Sequence, residues 1–320
     1  MDRRQACALA AFGLATFGAR AQIAGGKPIR LLVPFAPGGA PDVVARVLAQ
    51  QLGIQLKQSV VVDNKPGGNS IIAADVAAKA APDGLTLLFN TGSHTINPFV
   101  YSKLPFDTQR DFAPVSLLKV TPGLVLVVNP ALPAKTMKEF IEQAKGGQLA
   151  FGSPGVGNPQ QFPGELLNLM AGTKLLHVPY RGGNLAMNAV IGGEIAASFI
   201  SVISALGPIK AGQVRALGVT SAVRLSALPD VPTIAESGVP GYEIGGGWQG
   251  VFAPAKTPAD VVAKLSREIA EAVKAPDVQA RIVADDSVPV GSTPEAFTKF
   301  LKDDSEKVAK IVKSVGIHIE

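Results

Sequence analysis

Imidazole and thiol groups are scarce in this sequence: His94, His177, His318 and Cys7 are all that its 320 residues contain. None stands at metal-ligand spacing from another histidine, cysteine or paired carboxylate, which argues against a metal centre, and no cofactor is expected. Nucleophilic chemistry has little more to work with. Gly152-Ser153-Pro154-Gly155 lacks the leading spacing of a G-x-S-x-G elbow, and Pro154 has no amide to lend to an oxyanion. The string Gly245-Gly-Gly-Trp-Gln-Gly250 matches G-x-G-x-x-G but runs into Val251-Phe252-Ala253-Pro254 instead of opening a helix, so it reads as chance. His177, inside an apolar run, reads as a core histidine. His94, in a polar loop, reads equally as a ligand contact and as loop scaffold. Asp285-Asp286 and Asp303-Asp304 read as solvated charges and not as an acid–base pair.

The residues left to hold a ligand are glycines, hydroxyls and amides. Gly-rich polar segments follow several apolar runs: Pro34-Phe35-Ala36-Pro37-Gly38-Gly39-Ala40-Pro41-Asp42, Asn90-Thr91-Gly92-Ser93-His94, Gly152 to Asn158, Pro179-Tyr180-Arg181-Gly182-Gly183-Asn184, and Ser201. Three of them lead into a helix at Pro41, Pro159 or Asn184. Glycines there let backbone N–H groups approach a ligand, and a helix N-terminus favours negative charge. Taken singly, each loop is also what a tight strand-to-helix turn requires. Together they point to a small anion held by amides and hydroxyls.

Those loops need strands and helices to position them. Short continuous runs of Val, Ile and Leu predict strands at 29–35, 59–63, 86–90, 124–128, 149–152, 175–178, 195–200, 214–220 and 248–253, each covered on both faces. Helices are predicted at about 41–57, 68–80, 136–145, 159–171, 184–192, 203–212, 258–274 and 293–315. Thr136 with Glu139, Thr257 with Asp260, and Ser292 with Glu295 supply capping-box patterns at three of the starts. The last helix carries Phe297, Phe300, Leu301, Val308, Ile311, Val312 and Val315 on one face, as a surface helix packed by a single stripe does. The alternation is that of an α/β protein with largely parallel sheets. In such sheets ligands bind beyond the carboxyl ends of strands, where the glycine loops fall.

Composition narrows the class further. With 47% hydrophobic and only 17% charged residues the chain is globular and has ample core. Its 30 basic against 25 acidic residues form no block that would track a phosphate backbone, so no nucleic-acid partner is expected. Residues 1–21 read as a signal peptide: Arg3 and Arg4, an apolar stretch from Ala6 to Ala19, and a small-x-small site at Ala19-Arg20-Ala21. The paired arginines leave open whether export is general or twin-arginine. Cys7 stands at the start of the apolar stretch and not after it, where a lipoprotein cysteine would stand, which argues against a lipid anchor, and cleavage after Ala21 leaves a chain without cysteine. Pro-rich connections near residues 121–123 and 228–241 mark crossings between two domains. The expected division is 27–122 with 223–320 as the first domain and 123–222 as the second.

Five segments carry a family resemblance: VPFAPGGAPDVVAR at 33–46, VVDNKPGGNS at 61–70, APDGLTLL at 81–88, HVPYRGG at 177–183 and ALPDVPTIAESGVPGYE at 227–243. In this order the sequence resembles the Bug family, the extracytoplasmic receptors of tripartite tricarboxylate transporters, from Ile29 to Ile317. The resemblance implies a two-lobed periplasmic binding protein of type II-like architecture, with a ligand cleft between two α/β domains. It implies a periplasmic receptor that captures a small organic carboxylate (di-, tri- or aromatic) and delivers it to membrane transporter subunits or a sensor; a monomer is expected, since such a receptor needs no partner to close. An enzyme acting on small organic acids is the alternative, for which no nucleophile and base are evident.

Carried over by position, the implied ligand contacts are Phe35, Ala36, Gly38, Gly39, Ala40 and Asp42 from the first loop and Thr91, Ser93 and His94 from the third strand. The other lobe supplies Ser153, Gly155, Asn158, Gln161, Tyr180, Arg181 and Ser201. The family often has Ser or Gly where Ala40 stands, His where Gln161 stands, and an acid where Ile200 stands. Without that acid the pocket is expected to prefer an un-aminated carboxylate to aspartate or glutamate.

Overall fold

A computed structural model describes residues 26–316; the signal-peptide reading, His318 and the end of the family resemblance at Ile317 lie outside the described residues. Its strands form two sheets. The first contains β1 (Ile29–Val33), β2 (Val60–Asn64), β3 (Thr86–Thr91), β4 (Phe112–Thr121), β10 (Gly247–Pro254) and β11 (Val288–Pro289), in the order β11-β4-β10-β3-β1-β2. The second contains β5 (Val125–Val128), β6 (Ala150–Ser153), β7 (Leu176–Pro179), β8 (Ala197–Ile200) and β9 (Arg215–Val219), in the order β7-β6-β8-β5-β9. Both sheets repeat one plan. Three parallel strands (β2-β1-β3 and β7-β6-β8) are followed by an antiparallel strand arriving from the other lobe, β10 or β5, and then by the strand that leaves, β4 or β9. The expectation of largely parallel sheets is therefore corrected: the strands joined to the lobe crossings run antiparallel to their neighbours.

Helices α1 (Ala40–Leu56), α2 (Ile71–Ala78), α3 (Ser93–Val100), α8 (Ala259–Lys274), α9 (Pro276–Val283) and α10 (Pro294–Val315) surround the first sheet. Helices α4 (Met137–Lys145), α5 (Phe162–Ala171), α6 (Gly183–Ile191) and α7 (Val202–Lys210) flank the second. Each sheet is apolar on both faces. Leu31, Val33, Leu87 and Phe89 pack under α1 and α8, while Leu32, Leu88 and Phe252 pack against α2 and Phe297 of α10. In the second sheet Leu126 and Phe199 face Phe140 of α4, and Val125 and Val127 face Met187 and Val190 of α6. Burying one such side chain is worth about 1.5–3 kcal/mol, so these four layers hold the sheets rigid behind their loops. The stripe on α10 continues past Phe297: Val308, Ile311 and Val312 meet Ile96 and Val100 of α3 and Phe162 of α5.

Two of the three predicted caps differ in detail. The Thr136 capping box is complete, its hydroxyl accepting the Glu139 amide. At α10 the cap is Thr293, while Ser292 Oγ accepts the Leu117 amide on β4. At α8 Pro258 occupies the cap position and the Thr257 hydroxyl makes no capping bond.

The two crossings between the lobes are bonded to each other. The Leu124 amide donates to Thr220 Oγ1 at 2.8 Å, that hydroxyl donates to the Ile244 carbonyl at 2.8 Å, and the Gly246 amide donates to the Thr121 carbonyl at 2.9 Å. A Cβ on Gly246 would stand 2.7 Å from the Gly123 carbonyl oxygen, so glycine is what lets the crossings touch. Between β9 and β10 the chain stays on the second sheet. Leu225 and Leu228 join the core around Val125, and the Tyr242 hydroxyl donates to the Pro163 carbonyl at 2.7 Å.

Candidate functional site

The carboxyl ends of β1 and β3 face those of β6 and β8 across a cleft of about 70 Å³ beside the crossings. From the first lobe it is lined by Phe35, Ala36, Gly39, Ala40, Pro41 and Thr91, with Thr121, Trp248, Gln249 and Asp285. From the second come Pro154, Asn158, Pro159, Gln160, Gly182, Gly183 and Asn184, with Ile200, Ser201 and Ser204. Two helices open at its rim without a side-chain cap, α1 at Gly39 and α6 at Gly182, one from each lobe. Their first-turn amides and partial positive charge point into the gap between the lobes. Asn184 Nδ2 reaches the Pro37 carbonyl at 3.5 Å, so the two glycine loops nearly touch.

Phe35, Ala36, Gly39, Ala40, Thr91, Asn158 and Ser201, expected from the sequence, are thus together on the cleft. A second cavity of about 390 Å³ lies beside it, lined by Phe35, Gly155, Tyr180 and Arg181 with Asn69, Ser70 and Tyr101. It gathers Gly155, Tyr180 and Arg181 of the set.

The rest brace the loops. Asp42 is buried: its carboxylate accepts the Gly38 amide at 2.9 Å, Arg46 Nε at 2.9 Å and Asn64 Nδ2 at 2.8 Å. Burial would raise its pKa, yet the Arg46, Gly38 and Asn64 bonds hold it below the ordinary carboxylate value. The Gly38 amide is spent on this brace. Ser93 Oγ donates to Asn69 Oδ1 at 2.8 Å. Gln161 Oε1 accepts the Gly157 amide at 2.7 Å while its amide nitrogen donates to Glu165.

His94 turns into the core of the first lobe. It stacks on Phe252 at 4.2 Å, with Nε2 at 3.1 Å from the Thr108 carbonyl and Nδ1 near Asn90. Burial pulls its pKa down to about 4 against the small upward pull of the Thr108 carbonyl. His94 thus packs inside the first lobe, within α3, and does not line the cleft.

Ser153 and His177 form a pair that spacing did not reveal, because β6 and β7 are parallel neighbours 24 residues apart in sequence. Ser153 Oγ lies 2.6 Å from His177 Nε2 and 3.2 Å from the Gly155 amide. Burial lowers the His177 pKa to about 4, which leaves it a neutral, weak base. Ser153 is fully buried, and through its bonds to the Gly155 amide and carbonyl the pair fixes the loop at Gly155.

Sequence reasoning missed Gln160, Gly182, Gly183, Asn184, Ser204, Trp248, Gln249 and Asp285 on the cleft. Gly182-Gly183-Asn184 stood in a loop already singled out, and Trp248 and Gln249 lay in the string set aside as chance. Asp285 gave no local signal. The solvated reading of the two acidic pairs is corrected for three of the four residues. Asp285 is 2% exposed and bound to the equally buried Lys119 at 2.5 Å, Asp286 bonds Ser226, and Asp304 accepts Trp248 Nε1 at 2.9 Å.

A family model described as the tripartite tricarboxylate transporter family receptor matches residues 44–317. The chain belongs to this family. BugT of Bordetella pertussis (strain Tohama I) is a relative of this tricarboxylate-receptor chain, 35% identical over 298 residues that cover 92% of this chain and 91% of BugT. Among solved structures, a protein of R. palustris with adipate superposes at a TM-score of 0.86 with 31% identity, covering 91% of this chain and 98% of that one. MatC from Rhodopseudomonas palustris with bound malate superposes at 0.83 with 30% identity, covering 89% and 98%. The fold of this receptor-family member is accordingly that of the two-lobed periplasmic binding proteins. Among its described residues no helix is long and apolar enough to cross a membrane.

Proposed function

We propose that this chain is a monomeric periplasmic receptor that captures a small organic carboxylate between its lobes and passes it to a tripartite tricarboxylate-type transporter. The observation that carries this reading is the pair of uncapped helix N-termini, α1 at Gly39 and α6 at Gly182, one from each lobe, meeting across the cleft. A carboxylate placed there accepts amides from both lobes at once, so binding and closure are coupled through the crossings at 121–125 and 244–247. Among the described residues the lining side chains bring no free cation: Lys119 stands behind Asp285, and Arg181 lines the neighbouring cavity. Amides and helix ends therefore carry the anion's charge. That relatives of the same fold are solved with adipate and malate supports the ligand class.

A thermal-shift screen of the chain without residues 1–21 against organic acids, amino acids and sugars tests the reading. Ligand at a thousandfold excess over Kd stabilises the native state by about 4 kcal/mol, a shift of many degrees. One or a few carboxylates should shift the midpoint, and amino acids and sugars should not. Shifts with sugars alone, or with none of the acids, would refute it. Turnover of any acid by the purified protein would favour an enzyme in its place.

A further inference from the structure

Buried side-chain oxygens in folded proteins almost always find a hydrogen-bond partner, and those that do not call for an explanation. Among the described residues, four such oxygens without a partner belong to residues lining the cleft: Thr91 Oγ1, Gln249 Oε1, Gln160 Oε1 and Asn184 Oδ1. They come as two pairs. Thr91 and Gln249 stand opposite each other on the antiparallel neighbours β3 and β10, so their side chains rise side by side from the first sheet. In the second lobe Gln160 comes from the loop that opens α5, and Asn184 from the first turn of α6. The orientation of Asn184 is set by its Nδ2, which points to the Pro37 carbonyl and leaves Oδ1 turned the other way.

Three amide carbonyls are acceptors, and the Thr91 hydroxyl can accept or donate. An unsubstituted aliphatic or aromatic acid can take a bond from Thr91 but leaves the three amide carbonyls unmatched, whereas a ligand bearing hydrogen-bond donors satisfies them. An ammonium is also a donor, but burying its charge requires an anion beside it. The carboxylate on the cleft wall, Asp285, has one oxygen on Lys119 and the other on the Ile203 amide. A neutral hydroxyl needs no such counter-charge.

We infer that the ligand is a hydroxylated carboxylate whose hydroxyl groups are read by Thr91 and Gln249 from one lobe and by Gln160 and Asn184 from the other. This rests on the carboxylate-receptor reading above and names the substituent that selects among carboxylates. Sites built to bond a hydroxyl reject the analogue lacking it far more strongly than apolar pockets reject a missing methylene.

The test is calorimetric titration with two matched sets of acids, succinate against malate and adipate against galactarate, with aspartate as the ammonium counterpart of malate. In whichever pair binds more tightly, the hydroxylated acid should bind about tenfold or more tighter than its unsubstituted partner. Malate should also bind tighter than aspartate. Thr91→Val keeps the shape of the side chain and Gln249→Met its length, and each should bring the affinity ratio within the pair toward one. Equal or reversed affinities in the wild type, or a ratio that persists in both variants, overturns the inference while leaving the carboxylate reading intact. Binding of none of the five acids by the wild-type protein overturns the inference, and the carboxylate reading is then decided by the wider screen above.

Discussion

The carboxylate of Asp285, on the first lobe, accepts the backbone amide of Ile203, in the first turn of α7 on the second lobe, at 3.1 Å. Its other oxygen holds Lys119 Nζ, and Ser287 Oγ stands 3.0 Å from the same nitrogen. An acid from one lobe thus serves as the N-terminal acceptor of a helix in the other, and the lysine balances its charge in a place water does not reach.

Removing that acid leaves the lysine buried without a counter-charge. Asp285→Asn should lower the unfolding free energy of the ligand-free protein by about 3–5 kcal/mol in urea denaturation. The double variant Lys119→Met with Asp285→Leu should recover most of the loss, because the desolvated charges go together. A double variant as unstable as the single one would show that the Ile203 contact, and not the ion pair, dominates.

Acid should destabilise the protein from pH 6.5 downward. The native pKa of His94 near 4, against 6.5 for the free side chain, corresponds to about 3 kcal/mol. Above pH 6.5 that contribution is complete. As the pH falls toward 4 the unfolded chain takes up a proton that the buried imidazole refuses, so stability declines across this window. His177 acts in the same direction. Asp42, held below its ordinary 3.8, loses its contribution only at still lower pH. His94→Gln should flatten the slope of urea midpoint against pH between 6.5 and 4, and an unchanged slope would contradict the burial of this ring.

The contact between the crossings predicts a steric effect. Gly246→Ala brings a Cβ to 2.6 Å from Thr121 Cγ2 and 2.7 Å from the Gly123 carbonyl. The crossings must part to admit it, at about 1–3 kcal/mol of stability. Calorimetric melting would register this. A variant that melts with the wild type would mean that the segments separate freely.

The capping box on α4 offers a local control. Thr136→Ala removes the acceptor of the Glu139 amide and should cost about 1 kcal/mol in denaturation, with no effect on ligand affinity.

Much of the fold could be read from the chain because its strands are buried on both faces and appear as unbroken apolar runs, as in Leu31-Leu32-Val33 and Val125 to Val128. β4 escaped this reading. Pro114, Ser116 and Lys119 interrupt its apolar pattern, and they are tolerated for reasons visible only in three dimensions. Pro114 falls at a register shift against Phe252, Ser116 donates to the Ser292 carbonyl, and Lys119 is neutralised by Asp285. The helix α3 was hidden in the same way: Ser93, His94, Thr95 and Asn97 are polar yet buried, each with a partner far along the chain or across the sheet. On the site, glycine-rich loops were legible because the backbone needs glycine to turn there. Gln249 and Asp285 were not, since nothing in their neighbours along the chain says which wall they reach.

The shared strand plan of the two lobes also dictates an order of assembly. β5 to β9 lie in one continuous stretch, and every strand of the second sheet exists once residue 219 has been made. The first sheet has no such independence. Its central strand β10 lies between β3 and β4, so a nascent chain ending before residue 247 carries two fragments, β3-β1-β2 and β4, with nothing to join them. The lobe whose strands are synthesised first is thus the last able to close its core. Until β10 arrives, the facing edges of β3 and β4 stay unpaired, open to a chaperone or to another copy of the chain.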